Sequence, residues 1–284
     1  MTPLTDDRPP GPARRGAPLQ TSREAGSWTR TVLTKVPEVT LLFWLVKILS
    51  TTVGETAADF LNANVGLGLG ATTALMSVLF VAVLVWQVSL RRYVPGVYWL
   101  TVVLVSVVGT LFSDNLVDNL GVSLYVSTAL FAVCLAVAFT AWYRGEGTLS
   151  IHTITTRRRE AYYWAAILFT FALGTSAGDL ISEKLALGYV TAAVIFGAVI
   201  ALIALSHYVL RVDAVLAFWA AYVVTRPFGA SIGDLLTAPH GAGGLALGTN
   251  GTSAIFLVVI VAVVSWFTVQ QRRAGRAGRA ARPV

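Results

Sequence analysis

Four aspartates recur at one spacing in this 284-residue chain. Trp44 is followed ten residues on by Gly54 and five later by Asp59. The same beat returns as Trp99, Gly109, Asp114; as Trp164, Gly174, Asp179; and as Trp219, Gly229, Asp234. An aromatic residue precedes each tryptophan: Phe43, Tyr98, Tyr163 and Phe218. Residues four apart on a helix share a face, so each Asp heads a stripe. The first stripe reads Asp59, Glu55, Thr51 and, further round, Lys47. The others are Asp114, Thr110, Ser106; Asp179, Thr175, Phe171; and Asp234, Ala230, Arg226. Carboxylates with the Thr51, Thr110 and Thr175 hydroxyls nearby are hard oxygen donors, suited to protons, Na⁺, Mg²⁺ or Mn²⁺ rather than soft metals. Lys47 and Arg226 are the available charge partners, with Asp234 or Glu55 expected beside Arg226. Five anions against two cations leave negative charge over, so either some carboxyls hold a proton or a cation is bound. Cys134 is the only cysteine, and His152, His207 and His240 share no repeat position. A thiolate or imidazole metal site is therefore disfavoured, the identity of any metal stays open, and no cofactor is expected.

The elements that carry these residues must be membrane helices. Apolar residues make up 56% of the chain and charged residues 12%, with a mean hydropathy of +0.71. A water-soluble fold needs about a quarter of its residues charged to wet its surface, which excludes that class. Roughly continuous apolar runs fall at about 38–58, 70–90, 96–113, 121–143, 161–178, 186–209, 213–233 and 252–269, each near the length that crosses about 30 Å of hydrocarbon. Eight helices are predicted, because the runs lack the alternation of a barrel wall. Of the 21 Lys and Arg, 18 lie before the first run, in the even-numbered connections or after the last run. That asymmetry predicts both termini on the cytoplasmic side of a cell membrane. It also explains the +7 charge by attraction to anionic lipid, so nucleic acid is not an expected partner; the bilayer is.

The pattern is a tandem duplication of a two-helix unit of about 55 residues, the kind of period sought first in any sequence. The expected organisation is a disordered tail over 1–34, repeats over 35–93, 94–150, 151–211 and 212–270, and a basic tail over 271–284. Units with an even number of spans keep their direction, so the copies are parallel and the four Asp share one depth. At about 1.5 Å per residue, Pro37 to Asp59 is about 33 Å and Pro95 to Asp114 about 28 Å, which places the Asp layer near the outer edge of the hydrocarbon.

The segment Lys35-Val-Pro-Glu-Val-Thr, then Phe43-Trp44, Lys47 and Thr51-Thr-Val-Gly-Glu55-Thr-Ala-Ala-Asp59, resembles a bacterial family of uncharacterised membrane-anchored proteins built from a repeat of unknown function. The resemblance covers residues 35 to 269. It implies a polytopic membrane protein and supplies no activity.

Two readings compete for the motif. Each Asp could cap the turn that follows it, or the four could form an ion or substrate site. Gly54, Gly109, Gly174 and Gly229 either allow close helix approach or loosen the helix before the Asp, as in broken transporter helices. Pro227 supports loosening in the fourth repeat, since it removes a backbone donor. The tryptophans read as anchoring or core residues. Asp118 and Glu183 extend an acidic vestibule or are solvated loop charges. The expected function is a transporter or channel for a small cation or proton-coupled solute. The alternative is a non-transporting scaffold or sensor whose aspartates only cap helices. An enzyme is least supported, because no span pairs a nucleophile with a base. The oligomeric state is not legible.

Overall fold

A computed structural model describes residues 34–64 and 66–280. It is all-α, with eight helices in chain order: α1 Leu41–Asp59, α2 Leu69–Ser89, α3 Pro95–Asp114, α4 Leu124–Glu146, α5 Arg157–Asp179, α6 Gly188–Tyr208, α7 Ala214–Thr237 and α8 Thr249–Ala280. All eight are long and apolar enough to cross a membrane. Their starts follow ordinary capping chemistry. Thr40, Ser123, Thr156 and Asp213 each accept a first-turn backbone N–H, and Pro95 opens α3, where its missing donor is not needed. Gly147 ends α4 in the left-handed conformation, at φ 70°.

The odd-numbered helices are the interior and the even-numbered ones the rim. Between 50% and 78% of the spanning window is buried in α1, α3, α5 and α7, against 11% to 22% in α2, α4, α6 and α8. The cause is visible in the residues. The inner helices carry the glycines, hydroxyls and charges, whereas the outer ones present Val78, Val85, Val133, Val137, Val194 and Val258 outward, surface that only lipid covers without cost. The inner helices form a closed ring, α1 against α3, α3 against α5, α5 against α7 and α7 against α1. Each outer helix packs on the inner helix of the next repeat, and α8 returns to α1. The unit copied in sequence is thus a connected pair that hardly touches itself; the packed pair in space is formed across the repeat boundary.

Two contact sets, repeated with one stagger, fix the ring. A Cβ on Gly54 would meet Ser106 Oγ at 2.0 Å, and one on Gly109 would meet Phe171 Cβ at 2.6 Å. One on Gly174 would meet Arg226 Cγ at 2.2 Å, and one on Gly229 would meet Thr51 Cγ2 at 2.7 Å. In every case the motif glycine receives the residue seven after the tryptophan of the next repeat, and the fourth repeat hands on to the first. The α-helices run unbroken through all four glycines and through Pro227. The expected loosening is therefore corrected: these glycines exist for interhelical approach, where any side chain would occupy a neighbour's space. The second set lies two to three turns away, where Phe43 packs on Trp99, Tyr98 on Trp164, Tyr163 on Trp219 and Phe218 on Trp44, with centroids 5.7, 5.5, 6.1 and 5.6 Å apart.

Irregularity appears after the aspartates instead. The π-helical turns Phe60–Asn64, Asn115–Asn119 and Leu180–Lys184 follow Asp59, Asp114 and Asp179 directly, while α7 continues through Asp234. A second correction concerns the end of the chain. Residues 271–280, expected as a tail without fold, continue α8, as Ala and Arg favour helix once the membrane has been left behind. The tail expected over 1–34 lies, apart from Thr34, outside the described residues.

Candidate functional site: an acidic cup floored by a buried arginine

The ring geometry brings the four aspartates to one place. Asp59, Asp114, Asp179 and Asp234 all line a single cavity of about 340 Å³ at one end of the bundle, together with Glu55 and Asp118. The motif aspartates sit in the last turns of their helices, where the macrodipole is negative and a carboxylate is unfavourable by roughly 0.3–1 kcal/mol. Asp114 makes no side-chain cap bond to the π-turn behind it, and the helix caps proper are the four residues named above.

One turn deeper the cup has a floor. Arg226 is fully buried and donates from Nη2 to Glu55 Oε2 at 2.6 Å, to Thr175 Oγ1 at 2.7 Å and to the Thr110 hydroxyl. Thr110 Oγ1 also donates to Glu55 Oε2 at 3.0 Å and lies 3.4 Å from Thr175 Oγ1. Glu55, Thr110 and Thr175 occupy the same position in repeats one, two and three, eleven residues after the tryptophan. The fourth repeat has Ala230 there, which leaves room, and supplies the guanidinium from a turn below. All four repeats thus build this layer, each with a different part. Arg226, expected beside Asp234 or Glu55, is held by Glu55. Thr110 and Thr175, expected as oxygen ligands for a cation, are committed to the protein's own cation in this state.

Lys47 lies in the next layer and departs from the expectation. No carboxylate holds it. Its Nζ donates to the Tyr222 carbonyl at 2.6 Å and to the Thr225 hydroxyl, and sits 4.3 Å from the Tyr222 ring centroid and 5.7 Å from that of Phe171. A carbonyl dipole and two π faces replace the anion. The Thr51 hydroxyl is likewise turned away, donating to the Lys47 carbonyl at 3.0 Å, while its methyl fills the space at Gly229. Below Lys47 the axis is closed by the aromatic ring, where the Tyr98 and Tyr163 hydroxyls share a 2.5 Å hydrogen bond. At that same end Lys35 donates to Glu160 at 2.7 Å, and Gln87 donates to the other carboxylate oxygen at 3.1 Å.

The tyrosine pair and the Lys35–Glu160–Gln87 cluster escape sequence reasoning. The first had a signal in the aromatic preceding each tryptophan. The second has none, because its three residues come from unrelated repeat positions. Asp118 does extend the acidic lining, whereas the side chain of Glu183 lies outside the described residues. Among the described residues, no three His, Cys, Asp or Glu side chains converge closely enough to hold one metal ion.

The repeat, the ring and its four aspartates identify the family. The chain belongs to the family of the Repeat of Unknown Function (DUF347), which matches residues 42–93, 97–148, 162–213 and 217–273. Those boundaries fall on the four repeats described above. No curated protein and no solved structure matches the chain.

Proposed function

We propose that this integral membrane protein transports a small cation, or a solute coupled to protons, and that the acidic cup is where the cation first binds. The observation that carries the reading is the convergence of all four repeated aspartates on one cavity whose floor is the Arg226–Glu55 pair. Rings of carboxylates select cations by charge. A cation drawn into the cup meets Glu55 last, and there it competes with Arg226 for the same carboxylate. Release of the guanidinium from Glu55, Thr110 and Thr175 is the step that would couple arrival of the ion to opening of the layer below. The distribution of Lys and Arg along the sequence orients the cup outward and both termini toward the cytoplasm. Transport, not catalysis, is the chemistry this arrangement supports.

The scaffold reading draws on a different observation. The sealed aromatic ring and the interhelical hydroxyl bonds, such as Ser113–Ser176 at 2.7 Å and Ser127–Ser176 at 2.8 Å, would hold the bundle equally well if nothing passed through it. Flux separates the two. Purified protein in proteoliposomes should carry cation-dependent current or tracer that Asp59→Asn and Asp114→Asn each abolish while the variants still purify as folded protein. A wild type that moves no ion or proton under any gradient, with Asn variants that fail to fold, would establish the scaffold instead.

A further inference from the structure

A second cavity, larger than the cup, opens at the other end of the bundle and off its axis. It measures about 720 Å³ and lies at the seam where the fourth repeat meets the first, between α1, α6 and α7. Its deep end is Thr225, whose hydroxyl accepts from Lys47. Its wall on α7 is unusually low. Counting from each tryptophan, positions five before, two before and two after are Val39, Leu42 and Val46 in the first repeat, and Val94, Val97 and Thr101 in the second. In the fourth they are Ala214, Ala217 and Ala221, and only there are all three alanine. The seam tryptophan is accordingly different too: Trp99, Trp164 and Trp219 are 2–4% exposed, while Trp44 is half-buried and faces the cleft.

Cup and cleft approach each other closely. On α1 the cleft reaches Ile48 and the cup begins at Glu55; on α7 the cleft reaches Thr225 and the cup begins at Asp234. Seven and nine residues of helix are about 10 and about 14 Å. The barrier between the two spaces is therefore about a third to a half of a bilayer's hydrocarbon, which is roughly 30 Å. Its contents are the Arg226 and Lys47 layers. By contrast, the straight route along the axis is stopped by the Tyr98–Tyr163 bond and the stacked aromatic ring.

We infer that this seam cleft is a binding site for an organic cation with an apolar body, and that it forms the inner half of the transport path. The inference rests on the transport reading above and names its substrate class. The lining is mostly apolar, and its few polar groups, Ser150, His152, His207 and Thr225 among them, are too sparse to replace the water of a bare ion. It is also electron-rich. Trp44 and Phe218 both line the cleft, and an aromatic ring attracts a cation held over it by about 0.5–2 kcal/mol. His207, also in the lining, bonds through Nδ1 to the Val212 carbonyl at 2.9 Å. A carbonyl only accepts, so in the neutral ring Nδ1 carries the proton and Nε2 keeps its lone pair. Among the described residues, no Asp, Glu, Lys or Arg lines the cleft.

The test uses two probes of nearly one shape and opposite charge, tetraphenylphosphonium and tetraphenylborate, on the purified full chain. Radiolabelled tetraphenylphosphonium should bind saturably, and radiolabelled tetraphenylborate, assayed alone, should not. Ala221→Trp on α7 and Ala204→Trp on α6 fill the cleft from different helices and should each weaken binding about tenfold or more, the range of overpacking one well-fitted pocket. Trp44→Leu, which removes a π face without adding bulk, should weaken it about fivefold. Gly96→Ala, which lines neither cavity and has open space around it, should leave it within about twofold. Saturable binding of tetraphenylborate with similar affinity, or phosphonium binding unchanged in all three cleft variants, overturns the assignment. Absence of phosphonium binding in protein that still conducts an inorganic cation overturns the cleft alone and leaves the cup reading standing. Binding without flux of any cation overturns the cup reading and retains the site.

Discussion

Replacing Arg226 by methionine should reveal how much of the bundle's stability rests on one guanidinium. The side chain is fully buried, bonded to Glu55 at 2.6 Å and Thr175 at 2.7 Å. Methionine fills similar volume, so packing changes little. What remains is Glu55, 6% exposed, with Thr110 as its only identified donor and no cation. Breaking a buried pair from one side costs about 3–5 kcal/mol, while removing both charges together is often neutral. Against a total of about 5–15 kcal/mol for a folded protein, the single variant should lose a large share of its stability. The double variant Arg226→Met, Glu55→Gln should recover most of it. The eight tryptophans report unfolding by fluorescence in mild detergent, and chemical unfolding of the four proteins closes a double-mutant cycle. The coupling energy should be about 2–3 kcal/mol, the upper range for residues in one network. A single variant as stable as wild type, or a double variant worse than the sum of the singles, would refute the claim that the cup's floor is held by this pair.

Three other outcomes follow from the same coordinates. Gly174→Val places atoms where Arg226 Cγ stands 2.2 Å from a Cβ and should destabilise by at least about 1–3 kcal/mol, whereas Gly96→Val, with open space around it, should change stability by no more than about 0.5 kcal/mol, since valine favours a helix slightly more than glycine does; thermal unfolding of both checks the contrast. In a Cys134→Ser background, cysteine at Gly121 should react with a membrane-impermeant thiol reagent added outside cells and cysteine at Arg91 should not; the reverse pattern would overturn the orientation argued from charge. Tyr98→Phe leaves the Tyr163 hydroxyl, buried, without its 2.5 Å partner and should lower stability by about 1–2 kcal/mol, measurable by the same chemical unfolding.

Much of this architecture is legible in the sequence because membranes and duplication both impose periodicity. Eight spans follow from apolar runs, and the parallel ring follows from an even number of spans per repeat with Trp, Gly and Asp in register. The aspartates' meeting at one end is a consequence of the same parallel copies. What escapes is what two structures would write with the same letters. A glycine before an Asp serves close approach and helix breaking equally well, and only the neighbouring Ser106, Phe171, Arg226 and Thr51 decide between them. Lys47 invites a carboxylate partner in any sequence argument, yet its partner is the Tyr222 carbonyl, an atom every residue possesses. Which outer helix packs on which inner one is equally hidden, since all four outer faces are simply apolar. The cleft at the seam was legible in principle, as three alanines in the fourth repeat, but only once the ring had shown which repeats are neighbours.

Duplication within one chain, in place of assembly from four identical chains, has a physical consequence at the floor of the cup. The position eleven after the tryptophan reads Glu55, Thr110, Thr175, Ala230, and the position seven after reads Thr51, Ser106, Phe171, Arg226. Four identical chains would put four glutamates or four arginines at one level on the axis. At about 5 Å and an effective dielectric of about 20, each neighbouring pair of like charges would cost about 3 kcal/mol, too much for any of these layers to form. A single chain can place one Glu, one Arg and two hydroxyls there, so that one cation meets one anion and the alanine leaves room for the guanidinium. The aspartates one turn out can remain identical because they line an open cavity, where water reduces the same repulsion to about 1 kcal/mol or less. For charged residues, then, repetition is kept where water reaches and abandoned where it does not, while the uncharged glycines and aromatics repeat throughout the buried interior.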